Sequence, residues 1–189
     1  MQPSLFLILW TAWAVYWLIS ARGIKAPVRR ESTLSRCAHF GPLILCGWLL
    51  WDGNIRSPAL TAPFMRRTDT SFWIAAAMTA AGLLLAVWAR RHLGRNWSGS
   101  VTIKADHELI TSGPYRLARH PIYTGLLIAI AGSALAVAQI RGLLAFAIAF
   151  AALWRKLRLE ERFLRDQFGT AYVDYSKRVA ALVPFLHFI

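Results

Sequence analysis

Ser71 to Ala89, SFWIAAAMTAAGLLLAVWA, runs nineteen residues without a charge. As a helix rising 1.5 Å per residue it covers about 28 Å, close to the ~30 Å of a bilayer's hydrocarbon core. Its alanines and Gly82 are the small residues that let helices approach closely in lipid. Outward from it the same composition recurs. Residues 3–20 (PSLFLILWTAWAVYWLIS) hold no charge, and Cys37 to Trp51 is a shorter, Trp-edged apolar run. On the other side lie Ile122 to Gln139 and Gly142 to Trp154, joined at Ile140 and Arg141. So short a join predicts an antiparallel helical hairpin. The expected fold is all-α: a polytopic membrane bundle of about five transmembrane helices, with a helical hairpin and a cytoplasmic C-terminal helix.

The whole composition agrees: 57% of the 189 residues are hydrophobic, nine are Trp, and mean hydropathy is +0.43. A net charge of +13 does not imply nucleic acid, because the basic residues cluster in connectors between apolar runs. Residues 21–36, 90–120 and 155–178 hold 18 of the 22 Lys and Arg. With five alternating spans these three segments share one side, which the positive-inside rule makes cytoplasmic, leaving the N-terminus outside. The first run begins at Pro3 with no basic segment before it and no clean cleavage site after it, so it is expected to remain as an anchor. Cys37 and Cys46, nine residues apart on one expected helix, would lie about 13 Å apart and are read as unpaired thiols packed as small apolar groups.

Between the third and fourth spans, His107 to Tyr123 (HELITSGPYRLARHPIY) interrupts the apolar pattern with two His, two Pro, two Tyr and two Arg. Gly113 and Pro114 predict a turn, and Pro121 pushes His120 out of helical geometry where the fourth span begins. Irregular backbone at a membrane face implies either a cavity lining or an interfacial connector with belt tyrosines and His120 as a helix cap. Both stay open on these residues alone. His107 and Glu108 do not complete an HExxH motif, since Thr111 stands where the second His belongs, so no catalytic metal is expected. Neither a GxGxxG turn nor a Walker loop occurs.

After the fifth span, Leu157, Glu161, Leu164 and Phe168 fall on one helical stripe, and Gly169 is a helix stop. A basic helix on the membrane surface is one reading, but it leaves the adjacent acids Glu160 and Glu161 unexplained. The tail VAALVPFLHFI, at eleven residues, is too short to span and is expected to pack on the bundle or dip into the interface.

Three segments together, LGRNWS at 93–98, His107 to Tyr123, and EERFLRDQFGTAYVDYSKRVAALVPF at 160–185, resemble the isoprenylcysteine carboxyl methyltransferase family of integral membrane enzymes. The R-H-P-x-Y step followed by E-E and F-G-x-x-Y-x-x-Y carries the likeness, which covers about the C-terminal half of the chain. It implies S-adenosylmethionine as methyl donor, contacted by His107, Glu108, Leu109, Ile110, Tyr115, His120, Pro121, Ile122 and Tyr123. It implies one membrane-embedded domain over 1–189, with 1–70 supplying two spans and 71–189 a methyltransferase-like core. Ungapped alignment from Gly169 backwards puts the donor-binding glutamate on Glu160, whereas the apolar stripe passes through Glu161, about 60° away. The same alignment puts the family's substrate-contacting arginine on Lys156, which keeps the charge and loses the fork that grips a carboxylate twice.

The implied activity is methyl transfer to a lipophilic acceptor, such as the carboxylate of an isoprenylcysteine-like substrate, with Glu160 holding the donor's amino acid portion and Lys156 and Arg119 the acceptor. A carboxylate with a reference pKa of ~4 is ionised at neutral pH and needs no general base. Partners are then a lipophilic or prenylated substrate and membrane lipids. Three alternatives fit the same residues: an NADPH-dependent sterol or isoprenoid reductase with a similar R-H-P-x-Y step, an amine or thiol methyltransferase, and a non-enzymatic lipid-binding scaffold.

Overall fold

The computed structural model describes residues 3–21, 27–30, 32–51, 53–97, 102–104 and 108–186. His107, expected at the donor site, lies outside them.

Five long helices make the bundle: α1 (Pro3–Ser20), α2 (Thr33–Trp51), α4 (Asp69–Leu93), α5 (Pro121–Val137) and α6 (Ile140–Phe168). Short helices α3 (Pro58–Thr61) and α7 (Thr170–Arg178) complete the helical set. The all-α expectation omits one feature, a small antiparallel ribbon of β1 (Pro27–Arg30) and β2 (Thr102–Lys104), in which Pro27 pairs with Lys104 and Arg30 with Thr102. Neither segment carries an apolar alternation, so only their pairing across the fold makes them strands.

The central helix α4 is set by its caps. Thr68 and Ser71 form a reciprocal capping box, and Gly94 ends the helix at φ 52°. Among the described residues α4 is the one helix long and apolar enough, by length and composition, to cross a membrane. It packs most extensively on α5, and the contact is backbone on backbone. A Cβ on Gly125 would sit 2.5 Å from the Gly82 carbonyl and 2.8 Å from the Ala86 nitrogen. Gly132 is equally tight against the Ala75 carbonyl and Thr79 nitrogen, each 2.7 Å from such a Cβ. The small residues of Ser71 to Ala89 therefore do what their composition predicts.

Two boundaries differ from the sequence expectation. The hairpin turns at Ala138 and Gln139, two residues earlier than expected, with Ala138 left-handed at φ 52°. Tertiary pairing sets this point: Phe64 donates to the Ala138 carbonyl (3.2 Å) and Ile140 to that of Ala62 (3.0 Å). More consequentially, α6 runs unbroken from Ile140 to Phe168, so the basic, acidic segment after Trp154 is not a separate surface helix. It extends the core helix and carries Glu160 and Glu161 toward the bundle. Gly169, at φ 51°, stops it where expected. Of the two free cysteines, Cys46 is buried as expected, while Cys37 is exposed.

The segment pairs sort by bundle end. Residues 62–64 meet the hairpin turn at one end, where Arg141 also donates to the Leu49 carbonyl. At the other, β1 pairs with β2, Arg155 reaches the Ser35 carbonyl, and Arg90 reaches that of Ser20.

Candidate active site

At this second end a cavity of about 490 Å³ opens between α1, α2, α5, α6 and α7. Its volume falls in the range of small-molecule sites. It gathers sequence segments more than a hundred residues apart. Glu108, Leu109, Ile110, Tyr115, Arg119, His120, Ile122, Tyr123, Lys156 and Glu160 all line it. Pro121 stands behind the wall, fully buried, as the first residue of α5.

The loop before α5 is shaped by Gly113. Its φ of 59° suits glycine, and a Cβ there would lie 2.6 Å from the His92 ring. His92 also meets the Ser112 hydroxyl (2.8 Å), which locks the turn to the end of α4. Tyr115 follows in the 3₁₀ turn Gly113–Arg116, its hydroxyl 3.4 Å from the Ala89 carbonyl. Burial pushes that phenol well up, so it stays neutral. His120 then takes φ −124°, ψ 60°, and its side chain makes no capping bond. It points inward instead, which removes it from the capping role that an interfacial connector would give it.

There, five polar side chains interlock. The Tyr123 hydroxyl donates to Glu160 Oε1 at 2.6 Å, and His120 Nδ1 lies 3.5 Å from Glu160 Oε2. His120 Nε2 faces Glu161 Oε1 at 3.3 Å, and the His120 ring stacks parallel on Tyr123. The same Glu161 oxygen accepts from Arg119 Nε (2.8 Å) and Nη2 (2.5 Å), while Arg119 Nη1 donates to the carbonyls of Ser176 (3.0 Å) and Val179 (2.5 Å). Arg119 is thus fully engaged within the protein.

The two acids have different surroundings. Glu160 is 22% exposed and opens into the cavity, whereas Glu161 is 5% exposed and faces Arg119, His120 and Arg165. Both features read from the sequence hold geometrically: the apolar stripe buries Glu161, and the neighbouring turn position gives Glu160 the cavity. Burial works to raise Glu160, but the His120 hydrogen bond, the Lys156 charge and the Tyr123 hydroxyl outweigh it and keep the carboxyl below its usual range. Burial opposes Glu161 likewise, and His120 with Arg119 bring it down to about 2. For His120 burial favours the neutral ring, yet the two carboxylates prevail and raise it. Lys156 is buried, its Nζ 5.5 Å from the Tyr123 ring centre and 5.7 Å from that of Phe40.

The rest of the wall is apolar and comes largely from residues the sequence did not single out. Trp13, Trp17, Leu18 and Ala21 of α1, Phe40 and Leu43 of α2, and Trp97 line the far side. Trp13, Trp17 and Trp97 form a chain of rings with centres 4.8 Å and 5.2 Å apart. Their signal was present as aromatics at positions 10, 13 and 17, a helical stripe equally suited to lipid or core. Tyr172 and Tyr175 of α7 close the roof, and the F-G-x-x-Y-x-x-Y motif does carry them. Tyr175 donates to the Tyr115 carbonyl (2.6 Å), and burial raises its phenol to about 12. The tail seals the edge: Arg119 and His120 donate their backbone N–H groups to the carbonyls of Ala180 (2.8 Å) and Ala181 (3.0 Å).

The structure of a eukaryotic intramembrane Ras methyltransferase, isoprenylcysteine carboxyl methyltransferase, superposes with a TM-score of 0.56 at 24% identity, over 85% of this chain and 55% of that one. The phospholipid methyltransferase family model matches residues 70–171, and the chain belongs to that family. Protein-S-isoprenylcysteine O-methyltransferase B of Arabidopsis thaliana is 33% identical over 116 residues, 58% of this chain and 57% of its own length. A probable protein-S-isoprenylcysteine O-methyltransferase of Oryza sativa subsp. indica is 31% identical over 134 residues, 68% of this chain and 69% of its own. The chain spans little more than half the length of the Arabidopsis relative.

Proposed function

We propose that this protein is an integral membrane methyltransferase that uses S-adenosylmethionine and acts on a lipophilic, carboxylate-bearing acceptor of the isoprenylcysteine type. The observation that carries this is the two-sided cavity, an ionised Glu160 on one wall and a Trp13–Trp17–Trp97 surface on the other. A polar, cationic donor and an apolar acceptor chain are matched by these two walls.

In-line transfer of a methyl group from sulfonium to oxygen is the chemistry that S-adenosylmethionine supplies when bound. The protein's part is to align, to neutralise charge and to exclude water. Glu160, held ionised by His120, Lys156 and Tyr123, takes the donor's ammonium. Glu108, Leu109, Ile110, Tyr115, Ile122 and Tyr123 shape that half of the cavity. Lys156 takes the acceptor's carboxylate; Arg119, expected to share this task, spends its donors on Glu161, Ser176 and Val179.

The titration state favours a carboxylate over an amine. An ammonium acceptor must lose a proton before it attacks, and both ring nitrogens of His120, the imidazole nearest the cavity acid, already face carboxylates.

For topology, α1, α2, α4, α5 and the first half of α6 are the five spans, in one membrane-embedded unit over 1–189. The active site lies at the cytoplasmic face and the N-terminus outside. The basic-residue distribution supports this, as does the pairing of β1 with β2 at the cavity's end of the bundle. Calorimetry in detergent with S-adenosylhomocysteine and with NADPH tests the donor; binding of NADPH alone refutes it. A labelled-methyl assay on farnesylated cysteine analogues tests the acceptor, and failure to form a base-labile methyl ester refutes that half.

A further inference from the structure

The residue that touches most of the polar network is not one that faces the cavity. Glu161 Oε1 meets three groups at once: Arg119 Nε at 2.8 Å, Arg119 Nη2 at 2.5 Å and His120 Nε2 at 3.3 Å. Its other oxygen lies 3.5 Å from Arg165. With Nε2 held on Glu161, the His120 ring can only direct Nδ1 at Glu160 Oε2, and it does so while lying flat on Tyr123. Tyr123 in turn donates to Glu160. Glu160 is therefore oriented from two sides by groups whose own orientation traces back to Glu161. We propose that Glu161 is a positioning residue for the methyl-donor site: through His120 it sets the rotamer and charge of Glu160, and through Arg119 it clamps the end of α7 over the cavity.

A bond made only for packing would not explain this geometry. A buried Arg–Glu pair needs its charges satisfied, and the two carbonyls of Ser176 and Val179 with the Glu161 carboxylate do that for Arg119. Nothing in that requirement calls for a histidine on the same oxygen, nor for its second nitrogen to face the cavity acid. A chain of this kind, in which an outer carboxylate fixes an imidazole that tunes an inner ligand, is how supporting residues set the state of the group that binds. His120 itself faces Glu160 and Glu161 from α6 and Tyr123 from α5, and those two carboxylates are in turn met by Lys156 and Arg165 from α6, by Arg119 and by Tyr172 from α7.

This inference rests on the donor reading above, and two independent readouts separate them. The His120 ring is titrated by NMR in detergent, and S-adenosylhomocysteine binding is measured by calorimetry, for the wild type, Glu161→Gln, and the double variant Arg119→Gln/Glu161→Gln. The double variant removes the carboxylate without stranding the guanidinium, so it guards against simple unfolding of the single one. In the wild type His120 titrates above an ordinary imidazole; in both variants, with Glu161's carboxylate gone, its pKa falls. Donor-product affinity falls about tenfold, the loss expected for one charged hydrogen bond. It also becomes more sensitive to pH near neutrality than in the wild type, because His120 without Glu161 holds its proton less tightly. A pair with a merely structural role would lower the melting temperature and leave donor-product affinity unmoved in the folded variants. Wild-type His120 titrating at its ordinary value, or an unshifted titration with unchanged affinity in a folded variant, overturns the proposal. A wild type that binds no S-adenosylhomocysteine overturns the donor reading beneath it.

Discussion

Gly82→Ala adds one methyl group to the centre of the α4–α5 contact, and its cost follows from what that methyl meets. The new Cβ would lie 2.5 Å from the Ala129 nitrogen and closer still to the Gly125 carbonyl oxygen. Both are backbone atoms inside a helix, so no side-chain rotation relieves them. Overpacking of this kind costs typically 1–3 kcal/mol, and backbone clashes on two sides put it at the upper end. Alanine is better than glycine in a helix by roughly 1 kcal/mol, which offsets part of it. The net is a loss of about 2 kcal/mol, or roughly 4–8 °C in melting temperature for a chain of this size. Gly41→Ala is the control: it gains the same helix propensity on α2, where an added Cβ meets nothing within 4 Å. Thermal unfolding of both variants in detergent should therefore give shifts of opposite sign. The site should respond as well, because α5 carries His120 and Tyr123 at the end where Gly125 packs. Separation of the helices draws the Tyr123 hydroxyl from Glu160 and weakens S-adenosylhomocysteine binding. A Gly82→Ala protein as stable as Gly41→Ala would refute the close-packing argument outright.

Removing only the Tyr123 hydroxyl, as Tyr123→Phe, keeps the ring against His120 and Lys156 and deletes the 2.6 Å bond to Glu160; about tenfold weaker calorimetric binding of S-adenosylhomocysteine is expected. Lys156→Met should weaken that binding, because its charge helps hold Glu160 ionised, and abolish labelled-methyl transfer to a carboxylate acceptor, while Lys156→Arg should retain both. Stability should depend on pH on both flanks. The raised His120 contributes fully below the ordinary histidine value of ~6.5 and loses its contribution as pH rises through its folded value, so the melting temperature should fall on the alkaline side and that fall should be smaller in His120→Gln. Glu161, brought down to about 2, contributes above the ordinary carboxylate range of ~4.3 and loses its contribution as pH falls toward 2, a loss that Glu161→Gln should remove from the acid limb.

The Ser71 to Ala89 run implied a lipid-length helix from its uncharged length, and α4 is that helix. Gly113 and Gly169 marked a turn and a stop because left-handed backbone leaves few residue choices. Pro121 marked the start of α5 because proline cannot continue a helix from its N-terminal side. All of these are local constraints, carried by one residue or one window. Three other features were illegible, each for a nonlocal reason. The β1–β2 ribbon exists through pairing of segments some seventy residues apart, with no apolar alternation to announce it. The apolar wall was hidden because a Trp stripe on α1 reads alike whether it faces lipid or a cavity. Arg119 looked like a cation for a ligand, and only the packing of α6 and α7 showed it engaged with Glu161, Ser176 and Val179.

The sequence alone determined where the long helices lie and where they turn or stop, since hydrophobic length and glycine and proline conformations are properties of the chain itself. Tertiary structure alone decided which of two adjacent acids faces the cavity. At 100° per residue, neighbouring positions on a helix look in different directions, and which direction holds a cavity depends on the helices packed around it.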